Sequence, residues 1–287
     1  MTLRKSSLPA GWYPQDPEEI TRFLSAFDVG LDGSPVRAVI APHAGWFYSG
    51  KIAARAIACM DRKVETLAII GGHVRPGTPP LFAMEDAVQT PLGRIALDTE
   101  LRGAVMAQIN GMEDGFPDNT VEVFLPMVRF FFPGVSLLWM RLPDEMSSFD
   151  AGIALAELGK KLGRSIAVLA SADLTHYGPN YDFAPKGTGP EALNWVREVN
   201  DCRFIEAVEL GNPREVLERA KTDRSSCSAG AVLGAMGFAR ESQIGPARLL
   251  EYGTSVDAEK ASPKTSFVTY AAFAFGMPSG YSLFRPC

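Results

Sequence analysis

The sequence has little histidine, no closely paired cysteines, no excess of basic charge and no long apolar run. Its net charge is −5 at pH 7, which argues against a protein that binds nucleic acid or anionic lipid through bulk electrostatics. No apolar stretch reaches the roughly 18 residues that a membrane-spanning helix needs. We therefore expect neither a nucleic-acid partner nor a membrane partner.

The four cysteines are far apart in the chain, at Cys59, Cys202, Cys227 and Cys287. The N-terminal stretch MTLRKSSLPAGWYP carries two basic residues but lacks the apolar core of a secretory signal. Wide cysteine spacing without such a signal predicts reduced thiols in a cytoplasmic protein. Cys59, Cys202 and Cys287 fit buried structural cysteines better than reactive ones.

Strand-like and helix-like runs alternate along the chain, and its 46% hydrophobic residues suffice for a sizeable core. The predicted strands cover residues 36–41, 66–70, 135–140, 166–171, 247–252 and 266–275. The predicted helices cover 17–27, 49–60, 98–109, 119–132, 149–161, 191–210, 212–220 and 226–238, and Pro126 should end or kink the fourth. This alternation predicts an α/β fold with a largely parallel sheet covered on both faces. Without a linker or repeat, residues 1–287 read as a single domain.

Each of the three histidines follows a predicted strand. His43 follows 37–41, His73 follows 66–70, and His176 follows 166–170. In open α/β sheets the carboxyl ends of the strands form the ligand crevice, so one shared site is expected there. Imidazole is the commonest transition-metal ligand and a proton shuttle near neutral pH. Taken singly, His43 and His73 could each be a loop histidine without a functional role.

Two further groups are candidates for the same site. Asp173 and His176 form a D-x-x-H pair, in which the carboxylate could orient the imidazole or could cap the turn. Cys227, in SSCSAG, begins a predicted helix, where a thiol ionises easily and can bind metal or attack carbon. It could equally be a buried structural cysteine. A cysteine hydrolase with Cys227 as nucleophile, His176 as base and Asp173 as orienting group is therefore an open alternative, although no GxSxG elbow occurs.

A family resemblance extends, in order, over nearly the whole chain. APHAGWFYSG at 41–50 resembles the APHAGYxYSG hallmark of the Memo family, which includes the bacterial AmmeMemoRadiSam system protein B group. Further segments similar to family motifs are LPAGWYP, IIGGH, QTPLGRIALD, NTVEVFLP, SADLTHYG, SSCSAG and LEYGTS.

The resemblance implies a fold similar to the class III, LigB-type extradiol dioxygenases, with a central mixed, largely parallel sheet between helices. It implies a metal site of His43, His73 and Cys227 for Fe²⁺, or alternatively Cu or Zn. His176 would be the acid/base with Asp173 beside it. We expect a non-haem oxidoreductase acting on a small-molecule substrate, or alternatively a non-catalytic adaptor that binds a peptide in the same pocket. AMMECR-type or radical-SAM proteins are the partners that the resemblance suggests.

The sequence departs from the family pattern at two places. Asn119 stands where the motif similar to NTVEVFLP has a histidine, although Glu122 is retained. Gly71-Gly72-His73 is shorter than the family's GPSHH segment by one residue and one histidine. Both departures remove an imidazole from the expected pocket and leave the three expected metal ligands in place.

Overall fold

The computed structural model describes residues 1–28, 36–259 and 265–277. Its strands are β1 (Leu3–Arg4), β2 (Ala38–Ala41), β3 (Thr66–Val74), β4 (Leu81–Phe82), β5 (Ala87–Thr90), β6 (Gly93–Ala96), β7 (Met112–Glu113), β8 (Ser136–Pro143), β9 (Ile166–Ser171), β10 (His176–Tyr177), β11 (Ala247–Thr254) and β12 (Phe267–Phe275). Its α-helices are α1 (Pro17–Ser25), α2 (Trp46–Ala58), α3 (Thr99–Gln108), α4 (Asn119–Glu122), α5 (Leu125–Phe131), α6 (Ser147–Lys161), α7 (Pro190–Trp195), α8 (Asp201–Glu209), α9 (Pro213–Thr222), α10 (Ala229–Glu241) and α11 (Ser255–Ala258).

The central sheet is mixed, as expected. Its strand order is β10-β12-β2-β9-β3-β8-β4-β7, and β11 pairs with β12. The inner strands β2, β9, β3 and β8 are parallel, whereas β12 and β4 join them in antiparallel orientation. A separate three-stranded sheet, β1-β5-β6, was not predicted. The parallel centre places the carboxyl ends of β2, β3, β9 and β8 at one edge of the sheet.

Helices cover both faces of the central sheet because its inner strands are apolar on both sides. In β2, Val39 packs in a cluster with α2, whereas the next residue, Ile40, packs in a second cluster with α6 and α10. The α/β fold with helices on both faces is confirmed. Within the described ranges, every helix is too short or too polar to traverse a lipid bilayer.

The local structure differs from the sequence prediction at several points. The predicted helix 119–132 divides into α4 and α5, with Pro126 in the first turn of α5, as proline requires. The predicted helix 226–238 begins later, at Ala229, so Cys227 precedes it. Residues 196–200 form a π-helical turn between α7 and α8.

The expectation of four reduced thiols was wrong at one position. Cys59 and Cys227 are free thiols, whereas Cys202 is disulfide-bonded. Cys287 lies outside the described residues.

Candidate metal centre

The structure brings His43, His73 and Cys227 together. The ligand atoms that these three residues offer, two imidazole nitrogens and one thiol sulfur, all lie within 4.8 Å of one another. His43 follows β2, and Cys227 lies in the short connection between α9 and α10. Asp173 and His176 follow β9 at the same edge of the sheet. The crevice at the strand ends is therefore formed as the sequence predicted.

His43 is held in one orientation by its neighbours. It is 1% exposed, and its backbone N–H donates to Asp173 Oδ1 at 2.7 Å. Its Nδ1 lies 2.8 Å from Ser171 Oγ, and its Nε2 lies 3.3 Å from Cys227 Sγ. Burial acts to lower the pKa of His43, but the Asp173 carboxylate and the Cys227 thiolate outweigh it and raise the pKa. The ring thus presents Nε2 to the sulfur.

His73 lies within β3, not in a loop after the strand as the sequence suggested. The pairing of β3 with β8 shifts between Gly71 and Val74, and His73 has a left-handed φ of 56°. Its Nδ1 lies 3.2 Å from Asp118 Oδ2, and its ring meets that of His43 edge-on at 5.0 Å. Burial acts to lower the pKa of His73, yet Asp118 and Cys227 raise it to about 10. The bulge turns the imidazole toward the other two ligand residues.

The surroundings of Cys227 favour its thiolate form. Its backbone N–H donates to the Asp173 carbonyl oxygen at 3.3 Å, which fixes the residue beside the histidines. Burial acts to raise the pKa of Cys227, but His43, His176 and His73 lower it well below the usual thiol value. The thiolate is the form that binds a metal ion.

His176 lies beside the three residues with one ring nitrogen unpaired. Its Nε2 is buried, has no hydrogen-bond partner among the described residues, and lies 3.8 Å from Asp173 Oδ2. The ring packs edge-on against Tyr181 at 5.0 Å. Burial acts to lower the pKa of His176, but Asp173 and Cys227 raise it to about 10. The predicted D-x-x-H pair is thus adjacent in space.

A cavity of about 720 Å³ opens onto this group. His43, His73, Asp173 and His176 line it on one side. The aromatic residues that line it are Trp12, Phe47, Tyr48, Tyr181, Phe267 and Tyr270. In the described part of the chain, no lysine or arginine is among the lining residues.

The three aromatic residues that follow His43 in the sequence divide between the cavity and the core. Phe47 and Tyr48 line the cavity and are 66% and 40% exposed, whereas Trp46 is buried in the core. Asn180 and Tyr181 also line it, so the segment that follows β10 contributes to the wall of the cavity.

Comparison with known proteins identifies the chain's relatives. A family profile described as Memo-like protein matches residues 4–274. The chain belongs to the Memo family. It is 28% identical over 293 residues to a MEMO1 family protein of Thermococcus onnurineus, covering 95% of this chain and 99% of that relative. It is 29% identical over 289 residues to one of Pyrococcus abyssi, covering 94% and 98%. A solved structure of an uncharacterized Escherichia coli K12 protein matches with a TM-score of 0.47 at 13% identity, covering 83% of this chain and 99% of that one.

In this Memo-family chain, Asn119 and Glu122, two positions of the NTVEVFLP segment, have different surroundings. Asn119 lines the cavity, and its Nδ2 donates to the His43 carbonyl oxygen at 3.2 Å. Glu122 is 3% exposed and accepts hydrogen bonds from the backbone N–H groups of Ser7 and Leu8, both at 2.9 Å. Glu122 therefore anchors the N-terminal segment and is not among the residues that line the cavity.

Sequence reasoning missed the residues that orient the two histidines. Ser171 and Asp118 contact His43 Nδ1 and His73 Nδ1, and Arg141 in turn contacts Asp118. One signal could have revealed Arg141, because it is a charged residue inside the apolar strand β8, SLLWMRLP. A buried arginine is rare unless it is paired.

Proposed function

We propose that this Memo-family protein binds Fe²⁺ through His43, His73 and Cys227 and acts as a non-haem oxidoreductase resembling the extradiol dioxygenases. The observation that supports it best is the distance of 4.8 Å or less between the three ligand atoms, which come from distant parts of the sequence. The cavity above them would admit a small-molecule substrate.

The donor set suits a transition metal. Imidazole and thiolate ligands favour iron, copper or zinc over magnesium and calcium, which prefer oxygen. The Nδ1 atoms of His43 and His73 are engaged by Ser171 and Asp118, so each ring offers its Nε2. Three protein ligands leave coordination positions open, as catalytic sites require. Copper and zinc fit the same donors, and the family resemblance favours Fe²⁺.

The remaining residues supply proton transfer and orientation. Fe²⁺, when bound, would supply the open coordination positions at which O₂ and a substrate are activated. His176 can take up or give back a proton at Nε2, which is buried and unpaired among the described residues. Asp173 Oδ2 lies 3.8 Å from the Nε2 atoms of both His43 and His176, so its charge favours the protonated form of His176. The aromatic wall would exclude water from the reacting groups.

Metal analysis after anaerobic reconstitution tests the proposal. We expect close to one equivalent of Fe²⁺ per chain, retained after desalting. Nitric oxide, an analogue of O₂, should then bind and give the electron paramagnetic resonance signal of a high-spin iron–nitrosyl. A chain that stays free of iron refutes the metal site. A chain that holds iron but gives no nitrosyl signal has a closed site and refutes the oxidoreductase.

A cysteine hydrolase using Cys227, His176 and Asp173 is the second candidate, because the Cys227 thiolate lies beside imidazoles. Two contacts count against it. The Cys227 N–H donates to the Asp173 carbonyl oxygen, and the Ser228 N–H donates to Ser226 Oγ at 3.4 Å. Neither amide is therefore free to stabilise an oxyanion, which acyl transfer needs.

Alkylation of the free thiols separates these two candidates. In protein treated with a chelator, Cys227 should react with iodoacetamide at pH values well below the ~8 of an ordinary thiol, because its lowered pKa keeps the thiolate present as pH falls. Cys59 should stay unreactive, since burial raises its pKa to about 12. One equivalent of Fe²⁺ or Zn²⁺ should protect Cys227. Unchanged alkylation in the presence of metal would favour the hydrolase.

A non-catalytic protein that binds a peptide in this cavity is a third candidate. The exposed Phe47 and Tyr48 at its mouth favour a ligand that extends beyond the pocket. The lack of lysine and arginine among the described lining residues counts against a phosphorylated peptide. Replacement of His43 by alanine would then abolish peptide binding without a change in metal content.

A further inference from the structure

We propose that Asp118 and Arg141 are positioning residues that hold His73 with its Nε2 directed at the metal. The inference rests on the proposed metal site and adds to it two residues that do not themselves contact the ion. They belong to different elements: Asp118 precedes α4, and Arg141 lies in β8.

Arg141 joins three groups around the bulge of β3. Its side chain is 6% exposed, and its Nε donates to the Gly72 carbonyl oxygen at 3.0 Å. Its two remaining nitrogens lie 3.1 Å from carboxylate oxygens of Asp114 and Asp118. The planar guanidinium can hold three acceptors in fixed directions, which an ammonium cannot do. Arg141 therefore fixes the peptide before His73 and the carboxylate beside it at once.

In the neutral form of His73, which is the form that can bind a metal, Asp118 determines which nitrogen carries the proton. Its Oδ2 accepts from Arg141 and lies 3.2 Å from His73 Nδ1, while its Oδ1 accepts from the Thr120 N–H at 2.8 Å. With acceptor oxygens only, Asp118 requires the proton on Nδ1 and leaves the Nε2 lone pair for a ligand bond.

The bulge that these residues hold also sets the distance to the thiolate. His73 has a left-handed φ, which costs energy for any residue other than glycine and persists only where neighbours enforce it. Gly72 lies so close to Ser228 that an added Cβ would overlap its side chain. The hydrogen bond from Arg141 fixes Gly72. Gly72 in turn lies against Ser228, which directly follows Cys227, so the position of the β3 bulge is tied to the segment that carries the sulfur.

Binding of Co²⁺ to the full chain tests this role, with the thiolate-to-cobalt charge-transfer absorption as the readout. In Asp118→Asn, Oδ1 would still accept from Thr120, so the amide NH₂ would face His73 Nδ1 and Arg141. That amide would donate to Nδ1 and place the proton on Nε2. We expect the Kd for Co²⁺ to rise by about 10- to 100-fold, the usual effect of losing such a partner. Arg141→Lys, which keeps the charge, should shift it in the same direction.

A double-mutant cycle with His73→Ala separates positioning from a general structural role. Asp118→Asn should have no further effect on the Kd when His73 is absent, and the exposed helix-cap change Asp16→Asn should have none in either background. An equal loss with and without His73, or an Asp118→Asn protein that binds Co²⁺ like the parent, overturns the proposed role. A parent chain that binds no Co²⁺ overturns the metal site, and the positioning role with it.

Discussion

Replacing Cys227 with alanine should weaken binding of Fe²⁺ or Co²⁺ by about 100-fold or more. A four-ligand zinc site contributes roughly 10–16 kcal/mol, so one thiolate accounts for about 3 kcal/mol, and each 1.4 kcal/mol is a factor of ten. The loss should be large because Cys227 would be the one anionic member of a ligand set that otherwise consists of two imidazoles. Competition with a chelator of known affinity measures the change.

The chain provides a matched control for this variant in Cys59. Cys59 is also a free thiol, but it caps α2, and its Sγ contacts the Ala56 carbonyl oxygen at 3.0 Å. Cys59→Ala should leave the metal affinity unchanged. If the two variants bind metal equally well, the thiolate is not a ligand and the site must be assigned differently.

Replacing Glu122 with alanine should lower the free energy of unfolding by roughly 3 kcal/mol. Its buried carboxylate accepts hydrogen bonds from Ser6 Oγ at 2.6 Å, from the N–H groups of Ser7 and Leu8, and from the Tyr13 hydroxyl at 3.3 Å. A hydrogen bond to a charged group contributes about 1.5–3 kcal/mol. Ser6 and Ser7 are exposed, so water replaces part of what is lost and the four contacts together contribute less than the sum of their separate values. Urea denaturation followed by circular dichroism measures the loss.

Loss of Glu122 should also disturb the cavity, since residues 10–12, next along the chain, form part of its wall. Amide hydrogen exchange should accelerate in segment 6–13 while the core strand β9 stays protected. Glu113→Ala, which removes an exposed carboxylate, should change stability by no more than about 0.5 kcal/mol. If Glu122→Ala behaves like Glu113→Ala, Glu122 does not anchor this segment.

Much of the site could be predicted because the residues at the carboxyl end of a parallel strand directly follow that strand in the sequence. A buried strand is recognisable as a short apolar run, and the residues that follow it lie in the ligand crevice. His43, Asp173 and His176 were placed in this way. Cys227 lies two residues before α10 and does not follow a strand, so only its small-residue segment and the family resemblance indicated it.

The rest depends on contacts that no local pattern encodes. The strand β3 continues through Gly71 and Gly72 because Arg141, about 70 residues away in the sequence, hydrogen-bonds to the Gly72 carbonyl. The sheet β1-β5-β6 escaped prediction because its strands have only two to four residues each, too short for a period-two pattern. The sequence around Glu122 did not indicate its hydrogen-bond partners, because they lie more than 100 residues before it.

The spread of the three ligand residues along the chain has a consequence for assembly. His43 and Cys227 are 184 residues apart, and their side chains meet only after β2 and β9 have paired. An unfolded chain, or a fragment ending before residue 227, cannot gather the same donors. An ion held here would therefore bind only the folded protein, and by mass action it would shift the folding equilibrium toward that state. The supply of metal would then change the fraction of the chain that is folded.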